Sequence, residues 1–174
     1  KQYRASQTQP IDEMERLIEW LPTRIPPSGP VRLVHGDYRL DNMIFDTGST
    51  RVLAVLDWEL STLGDALADF SYHLMAWHMP PEETGAGTGS LVGHDLAALG
   101  IPSASVYVEM YHARTGFDPR PHLATYLAYN FFRIAAILQG IAGRVRDGTA
   151  TNEHAPAKAQ MVRPLAEVAW RFAR

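Results

Sequence analysis

The feature that most constrains this chain is an interruption. The apolar run "VRLV" (Val31–Val34) gives way to His35-Gly36-Asp37-Tyr38-Arg39-Leu40-Asp41-Asn42, and "MIF" then returns to apolar residues. Acids, an arginine and an amide placed between two runs that favour burial admit two readings. A surface loop does it for solubility; a loop held between two strands does it for chemistry. Past "DTGST" a further run, "RVLAVLDW", completes a pair of apolar strands around a glycine-containing turn, which predicts a hairpin. Strand, polar loop and hairpin form the frame that the rest of the chain has to fit.

The rest is periodic at helical spacing. "PIDEMERLIEWLP" sets Ile11, Met14, Leu17, Ile18 and Leu21 on one face, with Pro22 and Pro26 stopping the helix. "GDALADFSYHLMAW" predicts a helix with Asp65 as N-cap. "HMPPEETGAGTGSLVG" predicts a long loop, whose "TGAGTGSLVG" is expected to act as a lid or substrate-side loop. "SASVYVEMYHARTG" predicts a helix from the N-cap Ser103 to Gly116. "PHLATYLAYNFFRIAAILQGIAGRVRDG" carries helical periodicity, with Gly140 and Gly143 as points of interruption, and "APAKAQMVRPLAEVAWRFAR" predicts a last helix kinked at Pro164. The expected class is α+β, mostly α, and 174 residues suffice for one domain with a real core.

Several functions are excluded or disfavoured. The chain has no cysteine, so disulfide and thiolate chemistry are absent. No apolar run approaches the ~20 residues of a membrane span, and the start shows no signal-peptide pattern. The expectation is a cytoplasmic protein that engages neither membrane nor nucleic acid. The seven histidines form no H-E-x-x-H, and His73 and His78 lie five apart, which argues against zinc. Charge is unevenly spread. Residues 1–109 hold 7 basic and 15 acidic residues; residues 110–174 hold 9 and 4. The basic half fits either solvated helix faces or the handling of an anion.

The polar interruption carries a second pattern. Asp37 and Asn42 are five residues apart, and Asp57, in "VLDWE", follows Asn42 by fifteen. Phosphoryl transfer needs a carboxylate beside the attacking hydroxyl and oxygen ligands that hold Mg²⁺ on the nucleotide phosphates. The protein-kinase pattern H-R-D-x-x-x-x-N followed by D-F-G supplies that set. Here His35-Gly36-Asp37, Asn42 and Asp57-Trp58-Glu59 stand at matching spacings, with Gly for Arg and Trp-Glu for Phe-Gly.

Together with "LGDALADF", this resembles the aminoglycoside phosphotransferase-like family of small-molecule kinases. "LAALGIPS", "YHARTG" and "YNFFRIAAILQGIAGR" look like the branch whose kinase-like domain occurs in or beside acyl-CoA dehydrogenases. The resemblance implies the C-terminal lobe of a protein-kinase-like fold over residues 1–174: a short β-hairpin carrying the metal site, plus a helical bundle. By the same resemblance Asp37 is the catalytic carboxylate, and Asn42 and Asp57 are the Mg²⁺ ligands. His35 braces the loop. Glu59 reaches either the metal's surroundings or the acceptor. Asp65 and Asp69 are structural, one capping a helix and the other binding backbone amides behind the loop. Arg39 fits either a solvated charge or a contact to phosphate or acceptor.

The implied donor is ATP or GTP, and the implied acceptor a small-molecule hydroxyl. A complete relative would also carry an N-terminal nucleotide-binding lobe with a strand-borne lysine. Lys1 and Lys158 are the only lysines and neither sits on a candidate strand, so that lobe is expected to lie outside this chain and the isolated chain to be inactive. A kinase-like module that binds nucleotide or ligand without turnover is the alternative. The arginines Arg114, Arg120, Arg133, Arg144 and Arg146, with few acids around them, point to an anionic or neutral acceptor rather than a polycation.

Overall fold

The computed structural model describes residues 2–27, 29–81 and 89–174. The expected lid spans residues 84–93, of which 84–88 lie outside the described residues. A short helix α1 (Gln2–Ser6) precedes α2 (Asp12–Trp20), and β1 (Val31–Val34) leads into the polar loop. The hairpin follows as β2 (Met43–Phe45) and β3 (Val52–Val55), with an irregularity between Ile44 and Phe45. After β4 (Thr62–Asp65) the chain is helical: α3 (Leu67–Leu74), α4 (Ala104–Thr115), α5 (Arg120–Arg146), α6 (Ala155–Gln160) and α7 (Val162–Phe172).

The core belongs to the helices. Along α5, Leu127, Phe131 and Ala135 are buried at four-residue spacing, and they meet Leu165, Ala166 and Ala169 of α7. Helix α2 closes that side with Met14 and Leu17, and α3 adds Phe70 and Leu74. Helix α5 is uninterrupted over 27 residues. Gly143 does not break it. A Cβ there would lie 3.1 Å from the Ser6 side chain, so the glycine permits close approach of α1. The last helical stretch is two helices, α6 and α7, with the break at Met161 rather than a kink. Pro164 has no N–H for the Gln160 carbonyl and its ring crowds that carbonyl, so α6 ends there. No helix among the described residues is long and apolar enough to cross a membrane.

The strands form two separate antiparallel pairs. β2 pairs with β3 as expected, and β1 pairs with β4, an element that sequence periodicity did not predict. Residues 64 and 65, expected to open α3, instead end β4, with Asp65 opposite Val31. Nor are these strands buried on the whole. Val31, Leu33 and Leu63 are 64%, 61% and 72% exposed. The polar loop is therefore held by something other than apolar clamping.

Candidate active site

What holds the loop is a set of side chains spent on its backbone. The loop lacks a ladder partner, so its peptide groups need other acceptors and donors. Asp69, in the first turn of α3, takes the His35 N–H on Oδ2 at 2.6 Å and the Gly36 N–H on Oδ1 at 2.9 Å. The Asp37 N–H donates to His35 Nδ1 at 3.2 Å. That nitrogen therefore carries no proton, which makes Nε2 the donor to the Leu56 carbonyl at 2.7 Å. His35, 2% exposed, thus joins the loop to the residue before Asp57. The Gly36 carbonyl accepts from Arg133 Nη2 at 2.8 Å, and Asn42 Nδ2 donates to the Asp37 carbonyl at 2.9 Å and to Asp37 Oδ2 at 3.1 Å. Gly36 has φ 87°, and a Cβ would lie 2.6 Å from the Leu60 carbonyl oxygen. Only glycine fits the bend there.

Four of the residues singled out by the sequence, His35, Asp37, Asn42 and Asp69, thus share one hydrogen-bonded network. Asp57 is joined to it through its neighbour, since the Leu56 N–H donates to the Asn42 carbonyl at 2.8 Å. Asp57 itself is exposed and left-handed, at φ 64°, the one non-glycine among the described residues with positive φ. Among the described residues no hydrogen bond engages its carboxylate or that of Glu59, which sits exposed in the 3₁₀ turn Trp58–Leu60. Aspartate tolerates that backbone better than most residues, and such conformations concentrate at functional sites. Arg39 pairs with Asp41 at the loop's outer edge. Asp65 is not part of the site. At the far end of β1 it accepts from the Leu67 N–H at 2.9 Å and from the Tyr126 hydroxyl at 2.9 Å; the N-cap of α3 is Ala66 rather than the expected Asp65, which stands one residue earlier at the end of β4.

Beside the loop lies a cavity of about 510 Å³. Ile134, Ile137 and Ile141 of α5 form an apolar wall; Arg39, Asp41, Tyr72, His73 and Lys158 supply the polar groups. Burial and then the nearby Asp37 carboxylate push the Tyr72 phenol up to about 12, so it stays protonated. Burial pushes the His73 imidazole down. A second cavity of similar size, about 550 Å³, borders Asp65 and Tyr126 at the other end of β1, away from Asp37.

Sequence reasoning missed Tyr72, His73 and Lys158. For the first two a signal existed: Asp69, Tyr72 and His73 stand at i, i+3 and i+4, so one face of α3 turns to the loop. The five arginines expected near the acceptor need correcting, since none lines the cavity. Arg120 pairs with Asp118 and Arg146 with Asp147, and Arg133 is spent on Gly36.

A sequence profile of the phosphotransferase enzyme family matches residues 1–90, which include the loop, the hairpin and α3. The chain belongs to this family. Among its relatives, acyl-CoA dehydrogenase family member 10 of Mus musculus is 45% identical over 99% of this chain, which corresponds to 16% of the mouse protein. Acyl-CoA dehydrogenase family member 11 of Rattus norvegicus is 38% identical over 100% of this chain and 22% of the rat protein. A crystal structure from Ralstonia eutropha, of a protein provisionally assigned as an aminoglycoside phosphotransferase, superposes with a TM-score of 0.90 at 47% identity. It covers 99% of this chain and 52% of the bacterial one. The chain therefore spans about half of that structure and about a fifth or less of the mammalian relatives.

Proposed function

We propose that residues 1–174 are the C-terminal, acceptor-side lobe of an ATP- or GTP-dependent small-molecule kinase, with Asp37 as its catalytic carboxylate. The observation that carries this reading is the immobilised loop. The peptide N–H groups of His35, Gly36 and Asp37 are each bound by a side chain, while the Asp37 carboxylate takes the amide of Asn42 on Oδ2 and stands beside the Tyr72 phenol. Such positioning is what a general base requires. In the reaction the acceptor hydroxyl oxygen forms a bond to the γ-phosphorus, the bond from that phosphorus to the β-bridging oxygen breaks, and nucleoside diphosphate leaves. The hydroxyl proton passes to Asp37.

The donor set fits Mg²⁺. The Asn42 Nδ2 is committed to Asp37, which leaves its carbonyl Oδ1 as a ligand, and among the described residues no hydrogen bond engages the Asp57 carboxylate. Both are hard oxygen donors of the kind this ion prefers. When bound, Mg²⁺ would offset charge on the nucleotide phosphates. Among the described residues there is no group of three or more His, Cys, Asp or Glu able to hold a metal.

For the acceptor, the cavity argues against a polycation. Arg39 is paired with Asp41, which also lines the cavity, so Lys158 is the cation left over beside the apolar wall; that balance suits a hydroxylated molecule that is neutral or anionic, with an apolar stretch. Relatives named for acyl-CoA dehydrogenation support an acyl-type acceptor. The test is nucleotide consumption with Mg²⁺ by the full chain that carries this lobe. Hydroxy acids, their thioesters and kanamycin-type polycations are compared, with Asp37→Asn as control. Turnover of polycations alone would overturn the acceptor class, and turnover that survives Asp37→Asn would overturn the mechanism.

A further inference from the structure

The peptide plane that leads into Asp37 is held at both edges. On one edge His35 Nδ1 takes the Asp37 N–H; on the other Arg133 Nη2 donates to the Gly36 carbonyl at 2.8 Å. Arg133 is half-buried on α5, 97 positions along the chain from its partner. Its guanidinium lies over the Tyr72 ring, 5.4 Å from the centroid, which aims the fork at the loop. Among the described residues it forms no ion pair, so its charge is not spent on a carboxylate within 4 Å. The residue next to it, Ile134, belongs to the cavity wall. One helix thus carries both the cavity wall and the clamp on the loop.

We infer that Arg133 is a positioning residue for phosphoryl transfer: it fixes the Gly36–Asp37 peptide from α5 and so aims the Asp37 carboxylate. With that plane fixed and Asn42 binding the Asp37 carbonyl and Oδ2, little rotation is left to Asp37. A lysine at 133 reaches the carbonyl with a point charge but does not lie flat on Tyr72. An apolar residue leaves the Gly36 carbonyl without its partner.

The inference rests on Asp37 being the catalytic carboxylate, so the experiment separates the two. Arg133→Met and Arg133→Lys are made in the full chain, with Arg144→Met, exposed on the same helix, as control. The first readout is amide hydrogen exchange. Arg133→Met is expected to speed exchange at Gly36 and Asp37 by about tenfold or more while Leu127 and Phe131 of α5 keep their protection. The second is kinetic. In Arg133→Met, kcat is expected to fall by about 10- to 100-fold with the nucleotide KM within about threefold, because misplacement of a catalytic group costs rate rather than binding. Arg133→Lys is expected to recover part of the rate, and Arg144→Met all of it. Unchanged exchange at Gly36 and Asp37, loss of protection throughout α5, or a kcat within twofold of wild type would each overturn the proposal. If Arg133→Met does not fold, Arg133→Lys carries both readouts. A wild-type chain that turns over no acceptor defeats the kinase reading, and the exchange result then still decides whether Arg133 holds the loop.

Discussion

The helical half and the strand-and-loop half of this molecule are ordered by different physics. Around α5, stability comes from shape: Phe131, Ala135, Leu165 and Ala169 are wholly excluded from water. Around the loop, apolar side chains such as Leu33 and Leu63 lie in solvent, and order comes from four polar side chains spent on backbone. A core tolerates apolar swaps that keep its volume. A polar brace is local and each member matters singly. A chain built this way keeps its fold through changes that ruin its site, and the reverse.

Substitutions break or sharpen that contrast. The largest effect is expected from Phe131→Ala, which should cost about 3–5 kcal/mol of unfolding free energy by urea titration. If the loss is under 1 kcal/mol, the core is not centred on α5. Asp37→Asn is comparable in size but different in kind. It should lower kcat by about 10²–10⁴-fold while moving stability by no more than about 1 kcal/mol. Asp69→Asn removes one of two charge-assisted acceptors and sets an amide donor against a backbone N–H. The expected loss is about 1.5–3 kcal/mol, confined by hydrogen exchange to residues near Gly36. Leu63→Ser, on the exposed strand, should stay within about 0.5 kcal/mol; a larger loss would mean that β4 is covered in solution.

A further small effect concerns pH. Burial lowers the His73 and His78 imidazoles below the ordinary 6.5. As pH falls through that value the unfolded chain takes up protons before the folded one, so stability present above it is lost below it. Thermal melts at pH 5.5 should sit about 2–4 °C or less below those at pH 7.5, and His73→Phe should narrow the gap. A gap of unchanged size would move the effect to other groups.

This contrast also explains what the sequence made legible. The core helices could be read because burial is periodic: 127, 131 and 135 repeat, and Ser103 and Gly116 bound α4 with the residues their backbone geometry favours. The loop and hairpin could be located because apolar runs bracket them. What could not be read was non-local. β4 carries no alternation, and its partner lies thirty residues earlier. The link from Arg133 to Gly36 has no spacing rule behind it, so an arginine that braces the loop looked like one that waits for an anion. Lys158 was passed over because a lysine was sought on a strand, whereas α6 brings it to the cavity from the other end of the chain.

The contact between Gly36 and Leu60 has a consequence for how such a site drifts over generations. Every single-base change in a glycine codon that alters the residue, short of a stop, introduces a Cβ, and at position 36 that atom would lie 2.6 Å from a carbonyl oxygen. The position has no neutral neighbours in mutational space. Lineages that retain the chemistry are pinned at this codon, while the exposed strand residues a few positions away are free to wander.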